Sequence, residues 1–145
     1  DILSLVVFDD RADVVLPGRP GLDQVAARSA INHIQSGGGT EILQGLKLGW
    51  EQIRRWQSNS NLSHIILLTD GQTYGDEEGC LGMARMAAGE HISMTLMGVG
   101  PDWNDRLLDQ MADAGCLFLL LTGGEILLRS DFEEIYRLFD ALERK

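Results

Sequence analysis

The sequence predicts an α/β fold: a doubly wound, mostly parallel sheet with one antiparallel edge strand, in three layers with helices on both sides. Three observations predict it. Aliphatic runs alternate with segments of helical periodicity along most of the chain, Ile65 to Leu68 is an unbroken aliphatic stretch, and Asp9-Asp10-Arg11 separates two β-rich runs at the start. Strand and helix in alternation imply right-handed crossovers between parallel strands, and an unbroken aliphatic run suits a strand covered on both faces. With 145 residues, 44% of them hydrophobic, the chain has the size of one domain with one core. It shows no internal repeat, linker or low-complexity tract, so residues 1–145 read as a single domain.

Taken in order, residues 2–8 and 12–16 are strands joined by a tight hairpin, with Pro17-Gly18-Arg19-Pro20 ending the second. Val25, Ala26, Ala30 and Ile34 form the apolar stripe of a short helix that begins at Leu22 and stops before Gly37-Gly38-Gly39. A second helix buries Ile42, Leu46, Trp50 and Ile53 and closes at the polar turn Ser58 to Asn61. Ser63 to Thr69 is a strand covered on both faces and punctuated by Asp70-Gly71. Glu77 to Glu90 is a helix burying Cys80, Met83, Ala84 and Ala87, and Ile92 to Val99 is another covered strand. Asn104 to Ala114 is helical with Leu107, Leu108 and Met111 inward, Cys116 to Leu121 is the last strand, and Phe132, Ile135, Tyr136, Phe139 and Leu142 mark a terminal helix.

Charge and composition exclude several classes of function. A formal charge of -10 repels phosphate backbones and anionic headgroups, which argues against nucleic acid and anionic membranes as partners. The longest apolar runs fall far short of the roughly 20 residues that span a bilayer. The start does not read as a signal peptide, since Asp1 leads into Ile2 to Phe8 with no basic segment ahead. Cys80 and Cys116 lack zinc or disulfide spacing and read as buried free thiols.

In open sheets of this class, ligands sit outside the carboxyl ends of the strands, which singles out Gly37-Gly38-Gly39-Thr40 and Thr69-Asp70-Gly71. Three glycines let a backbone approach an ion, Thr40 offers a hydroxyl oxygen and Asp70 a carboxylate. Such oxygen donors suit Mg²⁺ or Mn²⁺ rather than zinc. In isolation, glycines before a threonine are a turn with a helix N-cap, and Asp-Gly after a strand is a turn. Asp76, Glu77 and Glu78 read as solvated charge at a helix N-terminus, His33, His64 and His91 as surface positions, and the methionines as packing.

The order of these pieces carries more than any one alone. Leu5-Val6-Val7-Phe8-Asp9, Gly-Gly-Gly-Thr at 37–40, Thr69-Asp70-Gly71-Gln72-Thr73-Tyr74-Gly75-Asp76, and Gly98-Val99-Gly100 followed by Trp103-Asn104 together resemble the von Willebrand factor type A family, bacterial members in particular. The resemblance runs almost the whole length, departing at Gly115 to Arg129. It implies a non-catalytic module that recognises a protein partner through a metal-ion-dependent adhesion site, in which an acidic side chain of the partner completes the coordination of Mg²⁺. Thr40 matches that site's threonine and Asp70 its aspartate. The family's first strand and its Asp-x-Ser-x-Ser loop have no counterpart here, so the expectation is a weak or solvent-completed metal site.

The same resemblance implies that a central strand is missing between the Ile2 strand and the Ile65 strand. Unpaired buried backbone groups cost roughly 1 to 3 kcal/mol each. The expectation is therefore a fragment of a longer, bacterial gene product, its compartment undetermined, in which another chain's strand, a strand-exchanged oligomer or a rearranged sheet fills the opening. The rival reading is a receiver-like phosphoacceptor or another Mg²⁺-dependent α/β enzyme domain, which also places an aspartate at a strand end. Lys47 and Lys145 are the only lysines and neither follows a strand, and no nucleophile elbow or Walker loop is present, so the reading is not an enzyme.

Overall fold

The computed structural model describes residues 2–21, 23–35, 37–58, 61–69, 72–73, 75–99, 104–115 and 118–122. In chain order the elements are β1 (Ile2–Phe8), β2 (Ala12–Pro20), α1 (Gln24–Asn32), α2 (Ile42–Arg54), β3 (Ser63–Thr69), α3 (Glu77–Gly89), β4 (Ile92–Val99), α4 (Asp105–Asp113) and β5 (Phe118–Thr122). The α/β class and the antiparallel hairpin follow the sequence expectation. The terminal helix expected around Phe132 to Leu142 lies outside the described residues, as does Cys116.

The strands form two sheets, β1-β2 and β3-β4-β5. The first is antiparallel, with Phe8 opposite Ala12 and Ile2 opposite Pro20. The second is parallel in both ladders, Leu67 lying beside Leu96 and Leu96 beside Leu119. Among the described residues no strand lies between β1 and β3.

One core joins helix to sheet. Ile42 and Leu46 of α2, Cys80, Met83, Ala84 and Ala87 of α3, and Leu107, Leu108 and Met111 of α4 pack on Leu67, Ile92, Met94 and Leu96. Full burial of each large aliphatic side chain contributes roughly 1.5–3 kcal/mol. The stripes expected on α2, α3 and α4 are those the core uses, Trp50 and Ile53 being partly buried.

Helix α2 is the tie between the two sheets. At its N-terminus the Glu41 N–H donates to the Asp9 carbonyl at the end of β1, 2.8 Å away. The Leu43 N–H donates to Asp76 in the loop after β3, at 2.9 Å. Just beyond its C-terminus, the Trp56 indole donates to Gly18 O at 3.1 Å, and Gln57 donates to Glu90 O at 3.1 Å ahead of β4. Gly18 lies two residues before Pro20, the partner of Ile2. The carboxyl ends of β1 and β3 therefore share one edge of the molecule and their amino ends the other.

Three expectations are corrected. Strand β3 is covered on one face only: Leu67 and Thr69 are buried, but Ile66 is 66% and Leu68 56% exposed, because α2, α3 and α4 all pack on the opposite side. Strand β2 runs through Pro17 to Pro20 rather than stopping at Leu16. It is an edge strand, where a missing N–H can face solvent, and register shifts around Leu5 take up the irregularity. Helix α1 buries Ala27, while Val25 is 79% exposed and Ile34 lies past the helix end. Its start is set by Asp23, whose carboxylate accepts from Val25 N and Ala26 N, both at 3.0 Å, so the turn geometry outranks the hydrophobic stripe read from Leu22.

Candidate functional site

The candidate edge is built where β1 and β3 end. Asp9 and Asp10 turn the hairpin; the Asp9 carboxylate accepts the Arg11 N–H at 3.0 Å, and the Asp10 carboxylate accepts the Gly39 N–H at 2.8 Å. The glycine loop is thus laced onto the hairpin. A Cβ at Gly39 would sit 2.5 Å from Asp10 Oδ1, and Gly38 has φ +70 with its missing Cβ only 3.0 Å from Asp9 and Asp10. Glycine is required here for that approach. The backbone that the sequence reading brought close to an ion is instead close to the Asp10 carboxylate.

Thr40 follows at once, half-buried, one residue before the helix N-cap position held by Glu41. It is not the cap of α2. Among the described residues its hydroxyl has no hydrogen-bond partner. Asp70, the second predicted ligand, lies outside the described residues; Thr69, the residue before it, is buried at the end of β3.

Asp76 corrects the reading of solvated charge. One carboxylate oxygen accepts the Leu43 N–H of α2 and the other accepts the Thr73 hydroxyl. Thr73 is 1% exposed. Glu41 makes no side-chain cap bond, so the orphan N-terminal amide of α2 is satisfied from a residue far along the chain. Glu77 behaves more as expected, accepting the Gly75 N–H at 2.8 Å in the first turn of α3. Sequence reasoning missed both Asp10 and Asp76 as structural parts of this edge. The Gly-Gly-Gly spacing was a signal for the first, since such a loop needs something to approach; the second had none.

The other titratable groups lie apart. His64 bridges the Ser93 and Thr95 hydroxyls on the outer face of the sheet. His33 bonds the Ser29 carbonyl and His91 occupies a positive-φ turn between α3 and β4. Cys80 is buried and free. Trp103 lies outside the described residues.

A hard divalent ion needs several convergent oxygen donors. Asp9, Asp10 and Asp76 already accept backbone or hydroxyl protons, and among the described residues no three His, Cys, Asp or Glu side chains converge. The described residues therefore do not by themselves fit a metal cage; at this edge Thr40 offers a hydroxyl with no hydrogen-bond partner among them. Among them, also, no helix is long and apolar enough to cross a membrane.

Comparison with known proteins gives this edge its context. A model of the von Willebrand factor type A domain family matches residues 1–126. An uncharacterized protein of Synechocystis sp. is 34% identical over 113 residues, covering 77% of this chain and 27% of that protein. The chain spans about a quarter of the length of the curated relatives it matches. Among solved structures, BatB of Bacteroides thetaiotaomicron aligns with a TM-score of 0.70 at 19% identity, covering all of this chain and 80% of that one. Proximal thread matrix protein 1 from the mussel byssus, with a zinc-occupied MIDAS motif, aligns with a TM-score of 0.67 at 23% identity, over 93% of this chain and 34% of that one. Both likenesses are of fold. With the family model covering most of its length, the chain belongs to the von Willebrand factor type A domain family.

Proposed function

We propose that this chain is a non-catalytic protein-binding module that meets its partner at the edge formed by the ends of β1 and β3, with Thr40 and Asp70 as two donors of a divalent-metal site completed by groups outside the described residues. The observation that carries the reading is Thr40: a half-buried hydroxyl without a partner among the described residues, held by the glycine loop at the strand-end edge where Asp70 directly follows Thr69. A hydroxyl and one carboxylate are too few donors for tight Mg²⁺ binding. The partner supplies an acidic side chain to the ion in this reading, so binding of partner and metal are linked. The zinc-occupied MIDAS motif of the mussel neighbour makes zinc worth including beside Mg²⁺ and Mn²⁺.

Calorimetric titration of the three ions into wild type, Thr40→Ala and Asp70→Ala tests it. The expected result for residues 1–145 is binding weaker than about 1 mM, lost in both variants. Binding unchanged in both variants would remove Thr40 and Asp70 from the site. Stable labelling of Asp70 by acetyl phosphate with Mg²⁺ would replace the binding module with a phosphoacceptor.

A further inference from the structure

Among the described residues the Thr40 hydroxyl has no hydrogen-bond partner, so its place is set by what holds the chain on either side of it. The residue before it, Gly39, gives its N–H to the Asp10 carboxylate at 2.8 Å, and the residue after it, Glu41, gives its N–H to the Asp9 carbonyl at 2.8 Å. Two consecutive residues of the hairpin turn thus grip the two neighbours of Thr40. Two positions further on, the Leu43 N–H goes to the Asp76 carboxylate at 2.9 Å. The N–H groups of residues 39, 41 and 43 are therefore all anchored to neighbouring elements.

The turn that does the gripping is itself closed. The Asp9 N–H donates to the Arg11 carbonyl at 2.8 Å, the Arg11 N–H donates to the Asp9 carboxylate at 3.0 Å, and the turn stands on the ladder pair of Phe8 and Ala12. The loop it holds is the opposite. Gly37, Gly38 and Gly39 are all exposed, and a Cβ at Gly37 would meet nothing within 4 Å. Glycine has more conformational freedom to lose than any other residue, so three in a row wander unless something ties them. Ahead of Thr40 that tie is the bond from Gly39 to Asp10, which spans 29 residues of chain and is charge-assisted, hence stronger than a neutral one. The fit is close: a Cβ at Gly39 would sit 2.5 Å from Asp10 Oδ1.

We infer that Asp10 is the positioning residue of this edge: its carboxylate fastens the glycine loop to the hairpin and so holds the Thr40 hydroxyl in one place before a partner arrives. A donor already held has no ordering cost to meet on binding. The role rests on the reading of Thr40 as a donor, but the placement of Thr40 is measured with neither metal nor partner present. The calorimetry of Thr40→Ala decides the donor reading separately, so either can fail without the other.

The test is backbone relaxation and the three-bond couplings of Thr40 by NMR, on residues 1–145 as wild type, Asp10→Ala, Asp10→Asn and Gly39→Ala. Asp10→Ala removes the acceptor, and Gly39→Ala displaces it from the other side. In wild type, residues 38–41 are expected to show order parameters of about 0.85 and Thr40 a single χ1 rotamer; in both alanine variants the order parameters should fall below about 0.6 and χ1 should average over rotamers. Asp10→Asn, which keeps an acceptor oxygen without the charge, should stay near wild type. The Leu96 amide, in the core sheet, should keep its protection in all four. Thr40 as ordered in both alanine variants as in wild type would overturn the inference, as would disorder that reaches Leu96 equally. An Asp10→Asn variant no better ordered than Asp10→Ala would also overturn it, since the loop would then answer to charge and not to the bond.

Discussion

Asp76 joins two helices and a loop through one carboxylate. It accepts an N–H from the first turn of α2 and the hydroxyl of buried Thr73, while standing immediately before α3. Charge-assisted bonds of this kind are stronger than neutral ones, and removing the acceptor leaves a buried hydroxyl unsatisfied. Asp76→Ala is expected to cost about 1–3 kcal/mol in urea denaturation, and Asp76→Asn, which keeps acceptor oxygens, less than about half of that. An unchanged midpoint in Asp76→Ala would return this residue to the solvated-charge reading. The same carboxylate acts on its neighbour Cys80. Burial first, then Asp76 and Glu77, pushes that thiol from 9.0 up to about 12. The unfolded chain releases the proton near the ordinary value while the folded chain keeps it until about 12, so the contribution of Cys80 to stability falls as pH rises through that window. The slope approaches about 1.4 kcal/mol per pH unit. Compared with Cys80→Ala, wild type should lose stability faster between pH 9 and 11; parallel curves would show that the thiol ionises normally.

At the scale of elements, β3 separates what a sequence can say from what it cannot. Its unbroken run, Ile65 to Leu68, marked it as a parallel strand covered on both faces; the ladder with β4 is parallel, and β3 ends the order β3-β4-β5. The run does not say how many faces are covered, because aliphatic residues are equally compatible with one covered face and with two. Leu67 is 4% exposed and Leu68 56%. Leu67→Ala should therefore cost about 2–5 kcal/mol and Leu68→Ser within about 0.5 kcal/mol, measured by chemical denaturation; equal losses would show that the outer face is buried in solution. The helices α2, α3 and α4 were legible because their stripes recur at three and four residues over several turns. Helix α1 is short, and its stripe competed with the Asp23 cap, which sets the phase of the turn. Of the candidate site, Thr40 and the glycine loop were readable from local spacing. The partnership of Asp76 with Leu43 spans 33 residues and depends on how α2 and α3 pack, which no local pattern records.

At the scale of the whole molecule, the division into two sheets sets the order of stability. The β3-β4-β5 sheet holds the described core with α3 and α4, whereas among the residues of β1 and β2 only Leu16 is buried and Phe8 packs partly against that core. Helix α2 belongs to both, through Ile42 and Leu46 on the core side and through Glu41, Gly45 and Trp56 on the hairpin side. At Gly45 the fit is so close that an added Cβ would lie 2.5 Å from the Phe8 ring. Opening the hairpin therefore exposes little apolar surface and breaks the contacts along one side of α2, while opening the second sheet dismantles the core. Local unfolding follows such differences in buried area. Native-state hydrogen exchange of residues 1–145 should show two levels, amides of β4 exchanging only through global opening and those of β1 and β2 through a smaller, less costly event. Gly45→Leu, which pries Phe8 away from α2, should raise the exchange of the hairpin first and leave the protection of β4 nearly as it was. One common exchange level for all strands, moved equally by Gly45→Leu, would mean that α2 couples the sheets so tightly that the open edge between them costs no independence.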